Sequence, residues 1–85
     1  MRFGLIANLK RVGAREAVAG FVAWASQHRH EFVLCDDLAV LAPKTATLVS
    51  RDEIGARCEI IVSMGGDGTM LASARAAVHH DTPIL

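Results

Sequence analysis

The feature that most constrains this chain is a joint. Glu59-Ile60-Ile61-Val62-Ser63-Met64 runs directly into Gly65-Gly66-Asp67-Gly68-Thr69. The first segment is rich in β-branched residues and reads as a strand. Met70, Leu71, Ala74 and Val78 then recur at helical spacing and are expected on the inner face of a helix that ends at His79-His80-Asp81. Three glycines in four residues allow positive φ and let a ligand approach the main chain closely. The free amides at the start of the helix are suited to phosphate oxygens. In an open parallel sheet, ligands bind beyond the carboxyl ends of the strands, which is where this turn falls.

The rest of the chain alternates in the same way. Phe3 to Ala7 reads as a strand buried on both faces and ends at Asn8. Ala14, Ala17, Val18, Phe21, Val22 and Ala25 mark an amphipathic helix reaching to His28 or His30, with Glu16 near its start. Phe32-Val33-Leu34-Cys35 reads as a second strand, closed by Asp36-Asp37. Leu38 to Leu41 is apolar and undecided, and Pro43 stops it. Ser50-Arg51-Asp52-Glu53 has capping-box spacing, in which the serine oxygen and the glutamate satisfy free amides, and predicts a helical turn through Ile54 and Ala56. The expected order is β-α-β, a connecting region, then β-α-β. That order implies an α/β fold with an open, mainly parallel, Rossmann-like sheet flanked by helices. Pro83-Ile84-Leu85 starts another apolar run, shorter than the roughly five residues of a typical strand. The chain is therefore expected to be a fragment of a longer protein.

Eighty-five residues make one domain at most. A hydrophobic share of 52 % with 21 % charged residues suits a packed interior and not a disordered chain. Net charge is zero with no basic stripe, so no nucleic-acid partner is expected. The N-terminal apolar run is too short for a signal peptide, and no stretch approaches the roughly 20 apolar residues of a membrane span. No membrane association and a cytoplasmic location are expected. Cys35 and Cys58 lie in or beside apolar runs and read as buried thiols.

The glycine turn is neither of two common phosphate-binding devices. A P-loop ends in Gly-Lys-Ser/Thr, whereas Gly68 is followed by Thr69-Met70; a dinucleotide fingerprint would need a third glycine where Leu71 stands. The distinguishing group is the carboxylate of Asp67, which would repel a phosphate placed directly before it. It has two chemical uses here: accepting the proton of a hydroxyl during phosphoryl transfer, or holding a magnesium ion that bridges to phosphate oxygens. The plainer reading is that Asp67 or Thr69 caps the helix.

Ile60 through Leu71 resembles the strand and GGDGT motif of the NAD kinases, a motif shared more loosely with diacylglycerol and sphingosine kinases and with phosphofructokinases. Lipid kinases carry an Asn-Glu pair soon after the threonine, absent here. Leu71 and Ala74-Arg75 fit the NAD kinase branch. Gly4-Leu5-Ile6-Ala7-Asn8 with Lys10, and Pro83-Ile84-Leu85, also fit, so the resemblance spans the whole chain. It implies phosphorylation of the adenosine 2′-hydroxyl of NAD, with ATP or polyphosphate as donor and a divalent metal, magnesium by preference. It implies Asp67 as the proton acceptor and Gly65, Gly66, Asp67, Gly68, Thr69 and Asn8 as nucleotide-binding residues. Ala72 departs from relatives that carry Arg or His there. Residues 1–85 would form an incomplete N-terminal nucleotide-binding domain, with the C-terminal NAD-binding domain outside it. The partners would be small-molecule nucleotides, and the full-length protein a homo-oligomer. The isolated 85 residues are expected to be inactive. The alternatives are a GGDG-type lipid or sugar kinase, or a non-catalytic nucleotide-binding module.

Other polar residues read more plainly. Asn8 should share a sheet edge with Asp67 and either meets phosphate or turns the loop. Lys10 and Arg11 read as solvated loop charges. Arg75 should point away from the turn, with a structural or interface role. Asp36 and Asp37, adjacent after a strand, should point different ways and serve a turn. The histidine pairs read as helix ends, and Trp24 as packing.

Overall fold

The structure, a computed structural model, describes residues 1–44, 46–65, 67–78 and 82–85; the side chain of Asp67 lies outside the described residues, as do Gly66, His79, His80 and Asp81. Four parallel strands form one sheet: β1 (Arg2–Ala7), β2 (Glu31–Cys35), β3 (Thr47–Val49) and β4 (Ile60–Met64), in the order β3-β2-β1-β4. Beyond β4, Ile84 makes a parallel bridge to Ile61. The Ile61 amide donates to Pro83 O at 2.8 Å, and the Leu85 amide donates to Ile61 O at 2.7 Å. The final apolar run thus extends the sheet on the β4 side.

The order has a reversal in it. From β1 the chain steps outward to β2 and β3, then returns across the sheet to β4 on the other side of β1. The ends of β1 and β4 therefore lead into loops that turn to opposite faces, which opens a crevice between them. Helix α1 (Ala14–Gln27) covers one face: Phe3 packs edge-to-face on Phe21 and Trp24, with ring centroids 5.4 and 6.0 Å away. Helices α2 (Arg51–Ile54) and α3 (Asp67–Val78) cover the other face and pack together. There a Cβ on Gly4 would stand 2.6 Å from Cys58 Sγ and 3.0 Å from Ile54 Cγ1, so only glycine lets this segment lie so close to β1. The fully buried centre is Leu5, Ile6, Leu34, Leu38, Ile54 and Ile61, drawn from the sheet and the connections on both sides.

Three expectations are corrected and one undecided stretch is assigned. The connecting region contains a strand, β3, which is three residues long and, among the described residues, pairs only with β2, so its pattern was too brief to read. The undecided stretch is a 3₁₀ helix, Asp36–Leu41, that buries Leu38 and leaves Val40 exposed. Ser50 and Glu53 do not form a reciprocal capping box. The Ser50 hydroxyl donates to the Glu53 carboxylate at 3.2 Å, so each side chain engages the other and not a free amide.

The third correction concerns α3. Its inner face is Thr69, Ser73, Ala76 and Ala77, while Met70, Leu71 and Val78 are 50, 61 and 66 % exposed, and Ala74 is exposed too. Both stripes have helical spacing. The small one faces inward because α3 must start close against the end of β4, and larger side chains would hold the helix away from the sheet.

At the opposite end from the crevice, Trp24 stacks on His28 (5.1 Å), and His30 lies edge-on to Phe3 (5.5 Å). His28 Nδ1 lies 2.9 Å from Trp24 O. Trp24 is a packing residue, as expected, and these two imidazoles finish the end of α1.

Candidate active site

All four strands point their carboxyl ends at the same edge, so the residues after each strand meet there: Asn8 after β1, Asp36-Asp37 after β2, Ser50-Arg51 after β3, and the glycine turn after β4. Asn8 ties two of these ends together. Its amide donates to Met64 O at 3.0 Å, its Oδ1 accepts the Lys10 amide at 3.0 Å, and its carbonyl accepts the Arg11 amide at 3.1 Å. The side-chain oxygen thus closes the turn that starts the loop, the plainer of the two roles considered for Asn8.

The glycines of the turn are not equivalent. Gly65 has φ +154°, and a Cβ there would overlap Thr69 Oγ1, lie 2.9 Å from Thr69 Cβ and lie 3.2 Å from Asn8 Cβ. Its lack of a side chain is required by the protein itself, because the Thr69 side chain occupies that space. Thr69 is buried, and its carbonyl accepts a hydrogen bond from Ser73 Oγ at 2.9 Å, which locks the first turn of α3 under the glycine. Gly68 is the contrary case. An added Cβ would meet nothing within 4 Å, and the residue is exposed. Its bareness has no packing reason within the described residues. Asp67 is the first residue of α3. Gly66, also expected to bind the nucleotide, lies outside the described residues.

A cleft of about 470 Å³ opens at this edge, lined by Ala7, Asn8, Leu9, Lys10, Asp37, Arg51, Gly68 and Thr69. Three of the expected site residues, Asn8, Gly68 and Thr69, are brought together in it. Gly65 lies behind Thr69, and with Met64 and Arg11 it lines a smaller hollow of about 230 Å³ beside the start of α1. Arg75 does not reach the mouth; it lines a second cavity of about 590 Å³ with Arg51, Asp52, Ala72, Ala76 and Val78.

Of two further mouth residues, Arg51 was not weighed as a site residue from sequence, and Asp37 was read only as a turn residue. Arg51 Nη2 donates to Asp37 Oδ2 at 2.9 Å, with the two side chains 49 and 46 % exposed. A pair this open contributes only about 0–1 kcal/mol to stability. The hydrogen bond to Asp37 raises the pKa of the Arg51 guanidinium, which stays charged. The signal for both residues lay in their position directly after strands, but placing them together requires the strand order.

The Asp36-Asp37 pair differs from expectation in one respect. The two residues open a 3₁₀ helix, and their carboxylates come close together instead of pointing different ways. Among the described residues, ligand atoms of Cys35, Asp36 and Asp37 lie within 4.8 Å of one another. This group does not fit a magnesium ion. Asp37 is engaged by Arg51, and burial, aided by the Asp37 charge, pushes the Cys35 thiol up, so it stays protonated. Sulfur is also a poor ligand for a hard cation. Burial raises the Cys58 thiol too, and both cysteines are free.

An open, doubly wound α/β domain with a crevice at its strand-order reversal is therefore the class that the fold and the mouth define. More particularly, the chain belongs to the ATP-NAD kinase N-terminal domain family, whose sequence model matches residues 3–85. It is 32 % identical over 78 residues to an NAD kinase of Chlorobium phaeobacteroides, covering 92 % of this chain and 27 % of that protein. It is 32 % identical over 82 residues to the NAD kinase of Desulforamulus reducens, covering 96 % of this chain and 28 % of that protein. With the NAD kinase of Azotobacter vinelandii the identity is 41 % over 59 residues, covering 67 % and 20 %. The chain thus spans little more than a quarter of the length of the first two relatives. Among the described residues, no helix is long and apolar enough to cross a membrane.

Proposed function

We propose that the full-length protein is an NAD kinase, transferring a phosphoryl group from ATP or polyphosphate to the adenosine 2′-hydroxyl of NAD to give NADP. The observation that carries this reading is the position of the family's glycine turn at the strand-order reversal, with Gly68 among the residues that line the cleft. Ligands of such sheets bind in that crevice, and a glycine left bare toward it lets a nucleotide approach the main chain.

In this reading the chain's residues divide the work. Gly65 and Thr69 shape the bend, Gly66 and Gly68 admit the nucleotide, and Asn8 fixes the neighbouring loop. The carboxylate of Asp67 is the proton acceptor. The 2′-oxygen attacks the terminal phosphorus of the donor, and the bond from that phosphorus to the leaving phosphate oxygen breaks as the new one forms. The hydroxyl proton passes to Asp67. A second, C-terminal domain completes the NAD site, and the enzyme works in the cytoplasm as a homo-oligomer. The 85-residue chain alone should form no NADP.

The test is Asp67→Asn in the full-length protein, followed by NADP formation. A positioned base contributes about 10²–10⁴ in rate, so kcat should fall by that factor while NAD still binds. Wild-type turnover in the variant would remove Asp67 from the chemistry.

A further inference from the structure

We propose that Arg51 contacts phosphate groups at the mouth and that Asp37 is the residue that positions it, a role that rests on the nucleotide reading above. Arg51 is the first residue of α2 and lines two cavities, the cleft that holds Asn8, Gly68 and Thr69 and the neighbouring one that holds Arg75. The residue is therefore part of the wall common to both.

The observed ion pair does not exhaust that side chain. The described contact to Asp37 uses Nη2 alone, while a guanidinium presents five N–H donors in a planar fork. The fork matches phosphate oxygens in pairs. The pair is also too exposed to matter much for folding, so the stability of the fold gives little reason for the contact. Holding a long side chain in one orientation before the ligand arrives lowers the ordering loss on binding. Lys10 lines the same cleft from the loop after β1. Lys10 and Arg51 thus give the described wall two cationic groups, of which Asp37 engages one.

The experiment compares Arg51→Ala, Arg51→Lys and Asp37→Asn with wild type in the full-length protein, with KM for NAD and for ATP measured separately and thermal midpoints recorded. Arg51→Ala should raise KM for one nucleotide at least tenfold with a much smaller change in kcat, and that nucleotide identifies the phosphates contacted. Arg51→Lys should recover part of the loss. Asp37→Asn, which removes the charge of the ion pair and so weakens the orienting contact without emptying its place, should raise the same KM two- to threefold. If Arg51→Ala leaves both KM values at wild type, whether or not the midpoint drops, Arg51 is a structural tether and the proposal is wrong. If the wild-type protein makes no NADP, the kinase reading fails by itself. Titration with inorganic pyrophosphate then decides the role of Arg51: binding weakened tenfold in Arg51→Ala supports it, and equal binding overturns it.

Discussion

Helices α1 and α3 cover opposite faces of one sheet, and they do it with opposite kinds of surface. Helix α1 turns Ala14, Val18 and Ala25 inward, with Phe21 and Val22 half-buried beside them and Phe3 beneath. Its inner stripe contains its large apolar residues, apart from the partly exposed Trp24. Helix α3 turns Thr69, Ser73, Ala76 and Ala77 inward and leaves Met70, Leu71 and Val78 facing out. The difference lies in what each helix must do. Helix α1 only has to bury area. The first turn of α3 must sit beneath Gly65 so that Thr69 fills the space where a side chain would be, and small residues allow that approach. The hydroxyl of Ser73, fully buried, is satisfied by the Thr69 carbonyl, so the close packing leaves no unpaired polar group there. Packing on the α3 side serves the mouth.

That contrast can be broken by substitution in the full-length protein, with stability read from urea unfolding. The largest effect should come from Ser73→Leu, which forces a large side chain into the tight contact. It should destabilise by about 3 kcal/mol, at the upper end of typical overpacking. A neutral result would mean that α3 has room to spare. Phe21→Ala on α1 should follow at about 2 kcal/mol, below the roughly 3–5 of a fully buried phenylalanine because the ring is only half-buried. Gly65→Ala should lose about 1–2 kcal/mol through backbone strain and the clash with Thr69. The smallest effect belongs to Leu71→Gln on the outer face of α3, within about 0.5 kcal/mol of wild type. A loss of 2 kcal/mol or more there would show that the outer stripe is packed and the contrast false.

The same contrast explains what the sequence revealed. Strands β1, β2 and β4 were legible because each is an apolar run, and parallel alternation put Asn8 and the glycine turn on one edge. The direction of α3 was not, because periodicity finds stripes but does not say which stripe meets the sheet. The larger apolar stripe is the natural choice, and Thr69 and Ser73 read as polar until their hydrogen bond is seen. β3 is too short and too one-sided to carry a pattern. Arg51 and Asp37 sit 14 positions apart, on α2 and just past β2, and only the sheet order brings them to one cleft.

The central claim is that one glycine of the turn is bare for the protein's sake and another for a ligand's. Gly68→Ala in the full-length protein tests it most directly, by thermal midpoint and nucleotide KM together. The account predicts a midpoint no lower than wild type, since nothing beyond its own turn of helix lies within 4 Å of the new methyl group, and a KM raised tenfold or more. A variant with wild-type KM would contradict it, because nothing would then approach the space that Gly68 leaves open.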